Sequence, residues 1–194
     1  MSLDGRSLRL SLRLFDVSLA LLGLLVSLPI SILVFLLAFI DTGAPLFFQE
    51  RLGVSKHPFI LVKFRTMPVD TVSKATHLIN CPSISKIGHF LRTWKLDELP
   101  QLWNVLMGDM SMVGPRPGLA NQLELTAARE KLQVFRARPG ITGLAQISGI
   151  DMSTPAVLAR ADAEMIRTMS IQKYAAYILL TVAGKGLGIR PTKK

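Results

Sequence analysis

The stretch VSLALLGLLVSLPISILVFLLAFI, residues 17–40, decides the fold class, because it contains 24 consecutive residues without a charged side chain. Such a run is long enough to cross the apolar core of a bilayer as a helix. It is longer than the apolar part of a signal peptide, and no small-residue cleavage site follows it. The sequence therefore predicts a retained membrane segment.

Pro29 lies in the middle of this segment and predicts a kink, because proline removes a backbone hydrogen bond. Ser27 and Ser31 flank it and could bond carbonyls freed at the break. Basic side chains occur on both sides of the segment, and such flanks favour the cytoplasm. A re-entrant helix that enters and leaves by one face satisfies both flanks, and a plain spanning helix is the alternative. The flanking residues are Arg6, Arg9 and Arg13 before the segment and Arg51, Lys56, Lys63 and Arg65 after it.

Residues 7–16 place leucine and phenylalanine near one face and arginine near another, which predicts a basic amphipathic helix at the headgroups or a solvated helix start. We divide the chain into an amphipathic lead-in with a re-entrant membrane helix, residues 1–40, and a cytosolic, membrane-associated catalytic domain, residues 41–194. The expected fold is an α-rich α+β monotopic membrane protein. Helix–break–helix at its N-terminus, interfacial amphipathic helices and small strands near the active site complete this expectation.

The net charge of +10 in 194 residues indicates an anionic partner. The basic residues are scattered rather than clustered, which disfavours nucleic acid and favours a membrane surface with a phosphate site. Cys81 is the single cysteine and excludes an internal disulfide. His57, His77 and His89 are too far apart in sequence to indicate a metal site by themselves.

The rest of the chain predicts several helices and few strands. Short strands are expected within residues 41–53 and 58–66, the second with Lys63 and Arg65 on one face. Residues 68–82 predict a loop, and residues 138–149 predict turns around a short strand. Helices are expected over residues 84–94, from Pro100 to a C-cap at Gly108, over 119–136 and over most of 155–183.

Two adjacent carboxylates, Asp97 and Glu98, lie within LRTWKLDELPQLWNVLMGDMSMVGPRP, residues 91–117. Taken alone, Asp-Glu-Leu-Pro predicts an N-cap for the helix that follows. The context adds basic side chains at Arg92 and Arg116, and carboxylates framed by cations suit phosphate chemistry with a divalent metal. The two interpretations are compatible, since a helix N-terminus also favours anions.

Three motifs carry a family resemblance: KFRTM (63–67), the stretch 91–117 and RPGITGLAQISG (138–149). In this order, behind an apolar segment that contains a proline, they resemble the bacterial sugar transferases. These are the small monotopic phosphoglycosyl transferases that initiate glycoconjugate assembly. The resemblance extends from about Leu12 to Asp162.

The resemblance implies transfer of sugar-1-phosphate from a UDP-sugar to polyprenyl (undecaprenyl) phosphate, with release of UMP. This would be the first membrane step in making O-antigen, capsule, exopolysaccharide or a glycoprotein glycan. Asp97 matches the nucleophile that forms a covalent aspartyl phospho-sugar and binds Mg²⁺, and Glu98 would assist. Further matches are the phosphate-binding cations Lys63, Arg92 and Arg116, the additional site candidates Arg65, Arg138 and Asp162, and Ser27 with Pro29 at the membrane helix break, where Ser31 could replace Ser27.

The expected partners are a UDP-sugar, polyprenyl phosphate and membrane lipids, without nucleic acid. The apolar last helix could support a homodimer. The expected location is the bacterial inner membrane, with both termini and the active site on the cytoplasmic face. The rival functions are a metal-dependent lipid-phosphate phosphatase or phosphodiesterase and a basic membrane-anchored scaffold.

Overall fold

The computed structural model describes residues 5–69 and 84–184, and it confirms a helix-rich α+β fold. Most of the predicted loop 68–82 and the basic C-terminal residues 185–194 lie outside the described residues. The helices are α1 Gly5–Thr42, α2 Lys86–Thr93, α3 Gln101–Met107, α4 Leu123–Lys131, α5 Leu144–Ile147, α6 Pro155–Arg167 and α7 Ile171–Val182. The strands are β1 Leu46–Leu52, β2 Pro58–Phe64, β3 Ser111–Val113 and β4 Gly140–Thr142.

Two small sheets form near the centre of the fold. Strands β1 and β2 pair antiparallel, with Phe47 opposite Lys63 and Arg51 opposite Phe59. These four residues therefore share one face of the hairpin, because side chains alternate along a strand. Strands β3 and β4 pair in parallel, with Ser111 opposite Gly140. Lys63 lies in β2 of the hairpin, and Arg116 lies in the loop that follows β3.

Helix α1 packs against the rest of the chain by one face along most of its length. Ala20 belongs to a buried cluster with Val105, while Val34 belongs to another with Leu91. At Gly23 an added Cβ would lie 3.0 Å from the side chain of Leu102, so α1 and α3 approach each other closely at this point. The buried face therefore packs against the part of the chain that follows α1.

The opposite face of α1 is apolar and exposed. Within the described residues, positions 10–42 form one helix that is long and apolar enough to cross a membrane, with a mean hydropathy of 2.7 and 11% of its most apolar window buried. Leu25 and Val26 expose about 70% of their surface (70% and 72%). Such a continuous apolar surface indicates contact with lipid.

The helical conformation of α1 continues through Pro29 without a non-helical residue. The lead-in and the membrane segment are thus one helix, and its re-entrant course stays a prediction. The buried hydroxyl of Ser27 has no hydrogen-bond partner, so the bond that we predicted from Ser27 to a freed carbonyl is not formed. For Ser31 the same role stays a prediction.

Asp16 fixes the first half of α1 to the part of the chain that follows it. Its side chain is 2% exposed and its Oδ1 accepts hydrogen bonds from three donors. These are the Ser111 hydroxyl at 3.0 Å, the Met112 backbone N–H at 2.7 Å and the Tyr174 hydroxyl. One carboxylate therefore joins α1 to β3 and α7.

Both ends of α1 have further polar attachments. Arg13 donates to the carbonyls of Val105 and Leu106 at 2.7 and 3.0 Å, which satisfies the C-terminal end of α3. Near the other end, Asp41 accepts from the hydroxyl of Ser85, which also caps α2. Both halves of α1 are therefore attached to the part of the chain that follows it.

Several predicted elements differ in length from the observed ones. The helix expected over 119–136 is limited to α4 and a 3-10 turn at Val134–Arg136, because Gln133 adopts a left-handed conformation with φ 57° between them. The helical region 155–183 divides into α6 and α7, and Ser170 caps α7 by accepting from the Lys173 N–H. Gly108 is confirmed as the C-cap of α3, with φ 97°.

We expect Asp16→Ala to destabilise the protein by at least about 2 kcal/mol, because buried donors on β3 and α7 would lose their acceptor. Thermal unfolding in detergent measures this. Glu50→Ala, which removes an exposed carboxylate in β1, should leave the unfolding temperature nearly unchanged. Equal unfolding temperatures for Asp16→Ala and wild type would contradict the anchoring role.

Candidate active site

The two adjacent carboxylates lie on a 3-10 turn, Leu96–Glu98, between α2 and α3. Lys95 begins this turn in the left-handed region at φ 54°, an uncommon conformation for a residue with a side chain. Successive side chains of a 3-10 turn point about 120° apart, so Asp97 and Glu98 face different surroundings. Neither carboxylate caps α3, since Pro100 occupies the cap position without a side-chain bond. The capping interpretation is therefore wrong.

Glu98 forms an ion pair with Arg116, whose Nη2 lies 2.8 Å from Oε1. Burial disfavours the ionised form of Glu98, but the charge and hydrogen bond of Arg116, with help from Lys95 and Lys63, outweigh it and lower the pKa. Glu98 is 12% exposed, whereas Arg116 exposes 49% of its side chain. The pair is therefore anchored on the Glu98 side and open to a ligand on the Arg116 side.

Asp97 is buried, at 6% exposure, and is held differently. Within the described parts of the chain, its carboxylate has neither an ion pair nor a hydrogen bond. Burial, followed by the charge of Glu98, raises the pKa of Asp97 to about 6, although Lys63, Arg92 and Arg116 act in the opposite direction. Asp97 is thus mostly ionised at neutral pH, and it is not held by a cation of its own.

The three predicted phosphate-binding cations converge on this carboxylate. Lys63 comes from β2, Arg92 from α2 and Arg116 from the loop after β3, and all three act electrostatically on Asp97. Burial lowers the pKa of Lys63 to about 8, opposed by Asp97 and reinforced by neighbouring arginines. Arg92 is oriented by a 2.8 Å hydrogen bond from its Nε to the hydroxyl of Thr66. Lys63, Arg92 and Arg116 therefore all act on the charge of Asp97, and their role in binding phosphate stays a prediction.

The three additional candidates are engaged elsewhere. Arg65 donates to the carbonyls of Ala44 and Leu46 at 3.0 and 3.3 Å, so it holds the start of β1. Arg138 donates to the carbonyl of Gly108 at 2.9 Å and satisfies the end of α3. Neither is among the cations that act on the pKa of Asp97.

Asp162 is fully buried and pairs with Arg129, at 2.7 Å, rather than with the carboxylate pair. Burial, opposed by Arg129, raises the pKa of Asp162. We expected Asp162 in the site itself, and the structure places it behind the loop that carries Arg116, since Arg129 donates to the Arg116 carbonyl at 2.9 Å. Asp162 is therefore connected to the carboxylate pair only indirectly, through Arg129 and the main chain of Arg116.

Sequence reasoning missed the roles of Arg51 and Arg129. Burial and the charge of Arg116 lower the pKa of Arg51 to about 10, and Arg51 donates to the Pro117 carbonyl at 3.0 Å. Pairing the two predicted strands would have placed Arg51 on the same face as Lys63. Nothing in the sequence near Arg129 indicated its role.

The site suits a metal ion that is shared with a substrate rather than one held by protein alone. Within residues 5–69 and 84–184 no three His, Cys, Asp or Glu side chains are grouped for metal binding. Mg²⁺ is commonly held by one or two carboxylates together with substrate phosphates. Asp97, which has no cation partner, fits such a ligand, and Glu98 is its neighbour.

The features described so far define a class: a membrane-associated α+β protein whose carboxylate pair is set among basic side chains, as an anionic phosphate ligand requires. The sequence profile of the bacterial sugar transferase family matches residues 8–185. The chain belongs to this family.

Individual relatives agree with this assignment. The chain is 38% identical over 180 residues to a UDP-glucose:undecaprenyl-phosphate glucose-1-phosphate transferase of Caulobacter vibrioides, covering 88% of this chain and 67% of that protein. It is 41% identical over 138 residues to an uncharacterised sugar transferase of Bacillus subtilis, covering 71% and 68%. It is 40% identical over 165 residues to a UDP-galactose-lipid carrier transferase of Erwinia amylovora, covering 76% of this chain but only 34% of that protein. The chain thus spans about a third of the Erwinia relative.

The opposite pKa shifts of the two carboxylates predict opposite effects on stability in metal-free protein. Because the pKa of Asp97 is raised, its ionisation costs the folded state as pH rises from about 4 through about 6. Asp97→Asn should therefore be more stable than wild type at pH 8, by up to about 3 kcal/mol, and nearly equal below about pH 4.

Glu98→Gln provides the matched comparison. Because the pKa of Glu98 is lowered, its stabilisation is present above its unfolded pKa and disappears as pH falls. This variant should be less stable than wild type at pH 8, with a difference that shrinks in acid. Unfolding in EDTA at several pH values measures both, and the same sign for both variants at pH 8 would refute the assigned environments.

Proposed function

We propose that this protein transfers a sugar-1-phosphate from a UDP-sugar to polyprenyl phosphate and releases UMP, through a covalent aspartyl phospho-sugar on Asp97. Family membership and the name of the Caulobacter relative support the reaction class. One observation carries the assignment of the nucleophile: Glu98 is paired with Arg116, whereas the buried Asp97 carboxylate has no direct partner in the described structure. Because Arg116 pairs with Glu98, the carboxylate of Asp97 is available to attack phosphorus.

In the first step an Asp97 oxygen attacks the phosphorus that bears the sugar. A new O–P bond forms, the bond to the bridging oxygen of the diphosphate breaks, and UMP leaves with that oxygen and its electron pair. Arg116, Arg92 and Lys63 lie where they can neutralise the charge that develops on the phosphate oxygens. A carboxylate with a pKa of about 6 is ionised at neutral pH and needs no separate base.

In the second step a phosphate oxygen of the polyprenyl carrier attacks the same phosphorus. The acyl–phosphate bond breaks, Asp97 returns as a carboxylate, and the sugar leaves on a lipid diphosphate. Splitting the transfer in this way means that two anionic substrates need not occupy the site together. Glu98 would keep Arg116 oriented through both steps, since their ion pair is already formed.

Asp97 would hold Mg²⁺ together with the substrate phosphates, and the ion would offset the charge of the diphosphate. The protein's own contribution is to hold the open Asp97 carboxylate next to cations from three elements.

The lipid carrier requires the site to lie close to the bilayer. The exposed apolar face of α1 and the attachment of both helix ends to one body support a monotopic arrangement in the bacterial inner membrane. The basic residues on both sides of the apolar segment favour its cytoplasmic face. A straight span would carry the two ends of a 38-residue helix to opposite sides of the membrane.

Asp97→Asn should lower UMP release from a UDP-sugar by a factor of roughly 10³ or more, because the amide cannot attack phosphorus. The assay uses a panel of UDP-sugars, with and without undecaprenyl phosphate. Asp109→Asn, which changes an exposed carboxylate just after α3, is the matched control and should retain activity. Wild-type activity in Asp97→Asn would reject the nucleophile. Phosphate release from a lipid phosphate without any sugar nucleotide would instead support the phosphatase alternative.

The proposed topology predicts that both termini react from the cytoplasmic side only. Cysteines introduced singly by Ser2→Cys and Lys193→Cys, each in a Cys81→Ser background, are labelled in spheroplasts with an impermeant maleimide. Both should stay unlabelled until the membrane is opened. Labelling of one terminus in intact spheroplasts would show a spanning helix and contradict the monotopic arrangement.

A further inference from the structure

The segment GPRPG, residues 114–118, follows β3 and carries Arg116. Every backbone carbonyl in it accepts a hydrogen bond from outside the segment. The acceptor–donor pairs are Gly114 with Gln146 Nε2 at 3.2 Å, Pro115 with the Gly140 N–H at 2.9 Å, Arg116 with Arg129 Nη1 at 2.9 Å, Pro117 with Arg51 Nη1 at 3.0 Å, and Gly118 with the Leu52 N–H at 3.0 Å.

The two prolines explain why these donors come from elsewhere. Pro115 and Pro117 have no N–H group, so the segment cannot form a regular ladder of its own, and its buried carbonyls need other partners. The carbonyl of Arg116 is the one that lies directly on the residue whose side chain meets Glu98. Of the five donors, Arg129 is therefore the one that bonds the main chain of the residue that pairs with Glu98.

Arg129 is almost completely buried, at 3% exposure, and its guanidinium makes three bonds. Nε and Nη2 donate to one oxygen of Asp162, at 3.0 and 2.7 Å, and Nη1 donates to the Arg116 carbonyl. The other oxygen of Asp162 is buried without a partner. Arg129 thus donates through Nη1 to the loop, while Oδ1 of its partner Asp162 is left without a hydrogen bond.

Stability alone gives little reason for this pair. Removing two charges from water is costly, and buried ion pairs can often be replaced by apolar residues without loss of stability. The contact that apolar residues could not reproduce is the bond to the Arg116 carbonyl. Lysine could not reproduce the full set either, because only arginine presents several donors in a fixed planar fork.

We propose that Arg129, held in place by Asp162, is a positioning residue that sets the Arg116 side chain against Glu98. The connection runs from Asp162 through Arg129 to the main chain of Arg116, and from the Arg116 side chain to the carboxylate pair. Arg129 acts through Arg116 and does not itself touch the reacting groups. The activity readout rests on the proposed function, whereas the exchange readout below does not.

A double-mutant cycle in UMP release tests the connection. We expect Arg129→Gln to lower kcat/KM roughly ten- to hundredfold in the wild-type background, because loss of the donor displaces Arg116. In an Arg116→Ala background the same change should cost less than about threefold, since coupled residues are not additive. Equal losses in both backgrounds would overturn the proposal. Glu130→Gln is the matched control, because Glu130 neighbours Arg129 on α4. It breaks only an exposed ion pair with Lys56 and should have little effect.

An apolar replacement of the whole pair separates positioning from folding. Arg129→Met combined with Asp162→Leu removes both buried charges, and its unfolding temperature should stay near that of wild type. Its kcat/KM should nevertheless fall as far as that of Arg129→Gln. Restored activity in this double variant would show that the pair serves only stability, and would overturn the proposal. Arg129→Lys, which keeps the charge, should also fail to restore kcat/KM.

Hydrogen exchange gives a readout without catalysis. In Arg129→Gln, peptides covering residues 110–120 should exchange faster than in wild type, while peptides from α1 and the Glu130→Gln control remain unchanged. Unchanged exchange in 110–120 would overturn the proposal even if the protein proves to have another activity. Faster exchange in a protein whose wild type never releases UMP would reject the proposed function and keep the positioning role.

Discussion

A buried carboxylate without an ion pair is the constraint on which the rest of the site depends. Asp97 is 6% exposed, and three cations act on it without bonding to it. Glu98 is the carboxylate that pairs with Arg116, and the Arg116 loop is held by donors from several elements. Burial keeps the pKa of Asp97 above its ordinary value, while the cations keep it low enough for ionisation at neutral pH. Keeping this carboxylate buried and unpaired lowers folding stability, as functional sites often do.

Helix α1 connects the apolar, exposed face of the protein to the carboxylate site. Its lipid-facing side is continuously apolar, and its other side joins the catalytic part through small residues, Arg13 and the buried Asp16. Because Asp16 bonds the N–H of Met112 in β3, the membrane helix contacts the strand that leads into the Arg116 loop. The apolar helix and the loop that carries Arg116 are thus connected by direct contacts through β3.

The sequence predicted the elements that depend on local pattern and failed where long-range contacts decide. Apolar length, the cap at Gly108 and the alternation in β2 were enough to predict α1, the end of α3 and the strand with Lys63. The motifs singled out Lys63, Arg92 and Arg116, and these are the three cations that act on the charge of Asp97. Arg65 and Arg138 could not be separated from them, because only tertiary structure shows that backbone carbonyls take up their donors. Arg129 was missed for the same reason, since its partners are 13 and 33 residues away.

Mapping the covalent adduct tests the central claim most directly. The wild-type protein is mixed with a UDP-sugar and Mg²⁺ without lipid acceptor, quenched in acid, and digested for mass spectrometry. The account predicts a mass increase of one phospho-sugar on the peptide that contains Asp97, and its loss when undecaprenyl phosphate is added before the quench. An adduct on another residue, or lipid-dependent UMP release without any adduct under these conditions, would contradict Asp97 as the nucleophile.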